Sequence, residues 1–162
     1  MASEINELGH RLDQISETNR NYRDFTRTDL TVAIREVIAG FPVYRTYVSP
    51  EGLKISERDK KNIHAAITRA KEKNPLLNPA VYDFLEHVLL LRLKIEPGSE
   101  EMKLYKDFLM RFQQLSGPIM AKGVEDTSFY VYNRLISLNE VGGDPFTFGY
   151  SIKDFHVQNL AR

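Results

Sequence analysis

The sequence predicts an all-α fold, a single domain of about seven helices over residues 1–162. Three observations carry that expectation. Apolar residues recur at three-and-four spacing along most of the chain, the signature of amphipathic helices. Capping residues or proline stand at the starts of several of these stretches. No alternating segments flank a hairpin turn, so no sheet is expected. With 42% hydrophobic and 27% charged residues, the composition is that of an ordinary globular domain, long enough to bury a core without staples.

Each element follows from local pattern. Ile5, Leu8, Leu12 and Ile15 share a face over residues 3–18. A polar link, "TNRNYRDFTRTD", leads to a second helix capped by Thr28 or Asp29, with Leu30, Ile34, Val37 and Ile38 inward, ending at Gly40 before Pro42. "FPVYRTYVSPEG" (41–52) lies between prolines, is rich in β-branched and aromatic residues, and is expected to be extended. Ser56 with Asp59 resembles a capping box for a helix to about Lys73, with Ile63, Ala66, Ile67 and Ala70 inward. Asn78-Pro79 starts a central helix whose inner face runs from Tyr82 through Leu85, Val88 and Leu89 towards Leu93. "EPGSEE" (96–101) opens a helix to about Leu115, broken by Gly117-Pro118. A short helical segment then reaches Gly123, and a further helix is expected from about Asp126 to Leu138. Residues 139–150 read as a glycine-rich loop, and Ser151 with Asp154 caps a last short helix.

Composition excludes several functions. Lysine plus arginine (22) equals aspartate plus glutamate (22), so the basic excess of a nucleic-acid or anionic-membrane binder is missing. Neutral polar polymers such as sugars remain compatible with that balance. There is no cysteine, and the four histidines show no ligand spacing, so neither a disulfide framework nor a metal centre is expected. The acidic N-terminus has no signal-peptide core, and the longest apolar run, "VLLL", cannot cross a bilayer. The expectation is a cytoplasmic protein. No nucleophile elbow or phosphate-cradling glycine loop occurs.

One stretch stands out. "GPIMAKGVEDTSFYVYNRL" (117–135) sets Lys122, Glu125 and Asp126 ahead of Phe129, Tyr130 and Tyr132. Such a cluster can bind sugar hydroxyls and stack on pyranose faces; it can equally be the rim of a helical core. Glu125 and Asp126 are adjacent, so on a helix they diverge and make an unconvincing pair of glycosidic carboxylates. Asp126 or Thr127 can instead cap a helix, and Lys122 can pair with Glu125 across a turn. "YRTY" (44–47) places Tyr44 with Thr46 on one side and Arg45 with Tyr47 on the other, and Arg45 and Tyr44 are read mainly as architecture.

Two blocks, "YRDFTRTDLTVAIREVIAGFPVYRTYV" (22–48) and "FQQLSGPIMAKGVEDTSFYVYNRLISLNEVGGDP" (112–145), closely resemble segments of maltooligosyl trehalose synthases, in the same order and at about the same separation. The resemblance implies an enzyme of the α-amylase-like superfamily (glycoside hydrolase family 13), built on a (β/α)8 barrel with large helical insertions. It implies conversion of the reducing-end α-1,4 linkage of a maltooligosaccharide into an α,α-1,1 linkage by intramolecular transglycosylation, without an organic cofactor. The aspartate nucleophile and glutamate acid/base belong to barrel strands upstream of these blocks, and the supporting aspartate to a His-Asp segment beyond them. This chain has no His-Asp dipeptide.

The chain is therefore expected to be the helical insertion of such an enzyme, without catalytic residues and inactive alone. Its implied contribution is substrate contact near the reducing-end sugar, with Lys122 first, then Glu125, Tyr130, and Asn133 or Arg134. Holding that glucose while water is excluded favours transfer over hydrolysis. The alternative is a stand-alone glucan- or protein-binding module descended from the enzyme. The surface that meets the barrel would, in the excised domain, be a site for an artificial dimer.

Overall fold

A computed structural model describes residues 2–49, 52 and 54–160. α1 (Ala2–Glu17) forms where the spacing predicts it and buries Leu8, Leu12 and Ile15, with Ile5 packed at the edge. α2 (Arg27–Gly40) starts earlier than the sequence suggests. Its cap is Thr26, not Thr28 or Asp29: Thr26 is extended (φ −78°, ψ 146°), and its hydroxyl oxygen accepts from the Asp29 amide at 3.1 Å. The Thr26 hydroxyl in turn donates to the Asp29 carboxylate at 2.8 Å. Asp29 therefore sits in the first turn, where a negative charge favours the helix dipole.

α3 (Glu57–Lys73) is capped by Ser56 and α4 (Pro79–Leu89) by Asn78, with Pro79 in the first turn, all as the sequence signals. α2 packs against α1, α3 and α4. The α1–α2 crossing is close enough that a Cβ on Gly9 would come within 2.0 Å of the Thr31 Oγ1, so only glycine fits there. α4 buries Val81, Tyr82, Phe84, Leu85, Val88 and Leu89, two more residues than its predicted inner face. Leu93 packs against the same core from beyond the helix end.

α5 (Glu100–Gly123) contradicts the expected break at Gly117-Pro118 and runs on through both residues. Proline removes one N–H and leaves the Gln114 carbonyl without its helical partner. Both Gln114 and Pro118 are exposed, so water can satisfy that carbonyl and the helix survives. The inner face of α5 carries Tyr105, Phe108, Leu109 and Phe112 into the core. Tyr105 donates to the Val88 carbonyl, and Arg11 pairs with Asp107.

The segment 41–49 is non-helical, as expected, but forms no strand, only an isolated antiparallel bridge between Ser49 and Lys54. Pro50 and Glu51 of the predicted extended stretch lie outside the described residues. Gln113 fixes this segment to α5. Its side-chain oxygen accepts from the Val48 amide (2.5 Å) and the Thr46 hydroxyl (3.2 Å), while its nitrogen donates to the Val48 carbonyl (3.2 Å). Arg45 lies 4.8 Å from the Tyr47 ring centroid and donates to the Thr46 carbonyl at 3.4 Å, a local and structural use of both residues.

The chain divides into two compact units, one ending at Met120 and one beginning at Ala121. Every residue of the hydrophobic core belongs to the first. The second contains the end of α5, a π-helical turn (Val124–Ser128), the one-turn α6 (Phe129–Val131), a 3-10 turn (Ile136–Leu138) and α7 (Ile152–Leu160), with no buried residue among those described. The predicted helix 126–138 is thus not formed, whereas the predicted loop 139–150 and the short last helix are. Among the described residues the fold is helical throughout, without a sheet, and no helix is long and apolar enough to cross a membrane.

Candidate functional site

All five residues singled out in the sequence lie in the second unit. The backbone at Gly123 is already helical (φ −71°, ψ −43°), so the turn that follows has no cap position for Asp126 or Thr127 to fill. Instead, the Thr127 hydroxyl donates to the Lys122 carbonyl and the Ser128 hydroxyl to the Gly123 carbonyl, both 2.9 Å and both five residues back. These bonds match the wide register of the Phe129 amide on the Val124 carbonyl. The side chains thereby support a π-turn in place of α-helix, a local irregularity often found at functional sites.

The turn redistributes the charges. Lys122 pairs with Asp126 at 3.3 Å, both largely exposed. The Glu125 carboxylate, half-buried, accepts from the Gly142 amide at 3.2 Å. Lys122 thus meets Asp126, a carboxylate other than the Glu125 weighed from the sequence. Tyr130 is 85% exposed, and Asn133 and Arg134 are exposed beyond α6.

Residues that sequence reasoning missed lie in the loop 139–146. Asn139 donates through its side-chain nitrogen to the Phe129 carbonyl (2.9 Å) and to the Tyr132 carbonyl, holding the chain where α6 unwinds. The Gly143 amide donates to the Glu140 carbonyl (2.7 Å), and a Cβ there would lie 2.8 Å from the Leu138 carbonyl oxygen. Asp144 accepts from the Thr147 hydroxyl and the Phe146 amide, and these two donors hold its carboxyl below the ordinary carboxylate range. The available signal was the Asn-x-x-Gly-Gly-Asp-Pro run, which is strong turn chemistry.

The π-turn and this loop together enclose a concavity of about 460 Å³, lined mainly by Phe129, Tyr132, Pro145 and Phe146, with Asp144 and Ser128 as its polar members. The Tyr132 and Phe146 rings stand 5.7 Å apart at 47°. No group of three or more histidines, aspartates and glutamates suited to a metal occurs among the described residues.

A helical chain with an exposed polar–aromatic turn is the class that fold and geometry define. Comparison narrows it in one segment. Over 53 residues the chain is 55% identical to proteins of two Mycobacterium tuberculosis strains, CDC 1551 / Oshkosh and ATCC 25618 / H37Rv, each named "Putative maltooligosyl trehalose synthase". The shared segment is 33% of this chain and 7% of each relative's length. No family model matches the chain, and no solved structure matches it.

Proposed function

We propose that this chain is the helical portion of a maltooligosyl trehalose synthase, an enzyme of the α-amylase-like superfamily that turns the reducing-end α-1,4 linkage of maltooligosaccharides into an α,α-1,1 linkage by intramolecular transglycosylation. The observation that carries the reading is the 55% identity over 53 residues to relatives bearing that name. The second unit contributes substrate contacts. Lys122 and Arg134 donate hydrogen bonds to sugar hydroxyls, Glu125 accepts them, Asn133 does both, and the exposed Tyr130 ring stacks on a pyranose face. Tyr130 needs no rearrangement to present its face, and Lys122 gives up only a solvent-exposed pair, which costs little. The catalytic carboxylates belong to the barrel of the larger enzyme, whose cytoplasmic reaction this chain assists by holding the terminal glucose during transfer.

A protein-observed NMR titration of this chain with maltopentaose tests the contacts. Saturable shifts clustered at Lys122, Glu125, Tyr130, Asn133 and Arg134 are expected, lost in Lys122→Ala, with no conversion of the sugar. Shifts mapping to the first unit, or none at millimolar sugar, would remove these residues as a preformed sugar site.

A further inference from the structure

In the first unit, α1 and α2 leave a hollow of about 420 Å³ between them, walled by Asn6 of α1 and by Arg27, Thr28, Thr31, Val32 and Arg35 of α2. Arg27, Thr31 and Arg35 recur at every fourth position, so they share one face of the helix. The helices approach closely here because Gly9 packs on Thr31 with no room for a side chain. The Thr31 hydroxyl proton is already spent on the Arg27 carbonyl, at 2.7 Å. The donors left to the hollow are two guanidinium groups, the Thr28 hydroxyl and the Asn6 carboxamide.

No acid lines this hollow. The carboxylates nearest in sequence are engaged elsewhere. Asp29 accepts from the Thr26 hydroxyl, and Glu36 pairs with Lys73 at 3.7 Å. Glu7 pairs with Arg11 at 2.9 Å and lines the groove that α1 forms with α5. Neither Arg27 nor Arg35 meets a carboxylate among the described residues. Arg27 is instead tethered across the two helices, donating to the Asn6 carbonyl at 3.4 Å, which leaves most of its N–H groups open. Two like charges held over one hollow repel, and a single anion between them converts that repulsion into two attractions.

We propose that this hollow is a binding site for a phosphoryl group, held between the Arg27 and Arg35 guanidinium groups. The charge matches: a phosphate monoester carries about −1.5 to −2 at pH 7 and suits two guanidinium groups, whereas a carboxylate would leave one unmatched. The geometry matches as well. A carboxylate offers two oxygens in one plane, while a tetrahedral phosphate can accept from both arginines and from Thr28 and Asn6 at once. The volume lies within the roughly 300–1,000 Å³ usual for small-molecule sites, so the phosphate can belong to a small monoester or be the free ion. The site lies wholly in the first unit and does not depend on the sugar contacts.

Protein-observed NMR titration with inorganic phosphate and with glycerol phosphate, at constant ionic strength, tests it. Both should give saturable shifts at the Asn6 and Thr28 amides and at the Arg27 and Arg35 side chains, with acetate at least tenfold weaker. Equal affinity for the two identifies the inorganic ion as the ligand and a tighter glycerol phosphate identifies a monoester; either supports the site. Arg27→Gln combined with Arg35→Gln should weaken phosphate at least tenfold. Both arginines are exposed, so circular dichroism should be unchanged. Shifts spread evenly over other exposed arginines such as Arg58 and Arg92, acetate binding as tightly as phosphate, or a double variant that binds phosphate unchanged would each overturn the proposal.

Discussion

The two units obey the same helical grammar and differ in what they bury. Up to Met120, four helices and most of a fifth close over a continuous core containing Phe84, Phe108, Phe112, Tyr82 and Tyr105, each under 3% exposed. From Ala121 on, comparable rings are present, yet Tyr130, Phe146, Phe148 and Tyr150 are each more than 70% exposed. The second unit is held by side-chain hydrogen bonds to its own backbone, from Asn139, Glu125, Thr127 and Ser128, not by apolar burial. Hydrogen bonds define a shape but contribute about 1 kcal/mol each net, whereas burial of one large apolar side chain contributes about 1.5–3 kcal/mol. The lesson is that the first unit has the means to fold alone, and the second has its geometry set while its apolar surface stays exposed.

The largest expected effect separates the two directly. Phe108→Ala or Phe112→Ala should cost about 3–5 kcal/mol in denaturant unfolding, while Phe146→Ala and Phe148→Ala should stay within about 0.5 kcal/mol. Equal losses in both units would break the comparison. Gln113→Leu comes next. It removes three hydrogen bonds from Thr46 and Val48 and leaves a backbone amide and carbonyl unpaired in the core, at an expected cost of about 2–3 kcal/mol by the same measurement.

Alkaline pH should act on the first unit through Tyr82 and Tyr105. Burial pushes the Tyr82 hydroxyl above its ordinary value, with the Glu36 charge adding to it, and burial does the same to Tyr105. Above about pH 10 the unfolded chain loses these protons while the folded one keeps them, so stability is intact below that pH and falls as pH rises through it. Ultraviolet titration of tyrosinate should show both residues ionising only as helicity is lost; early, reversible ionisation of all eight tyrosines would contradict it. The smallest effect belongs to the second unit. A double-mutant cycle on the exposed Lys122–Asp126 pair should give coupling of no more than about 0.5 kcal/mol, further reduced by salt.

Legibility in the sequence follows the same divide. Caps such as Ser56, Asn78 and Ser151 act within one turn of themselves, so they were readable in isolation. Pro118 was misread because its effect depends on which way the freed carbonyl faces, a property of packing. The helix predicted from Asp126 failed for another local reason: Thr127 and Ser128 bond five residues back, and Asn139 captures the two carbonyls where the helix opens. The residue types of the candidate site were visible. Their partners were not, because Glu125 meets Gly142 across seventeen positions and no periodicity reports that.

The Gln113 amide meets Val48 with the paired donor and acceptor that a neighbouring strand would otherwise present. The two residues stand 65 positions apart, so the pairing waits on the closure of a long loop and on the prior docking of α5. It should therefore form after the barrier to folding has been crossed. Replacing Gln113 should leave the refolding rate nearly unchanged and speed unfolding by an amount that accounts for the whole stability loss. In that sense one side chain sets how long the first unit stays folded, not how fast it gets there.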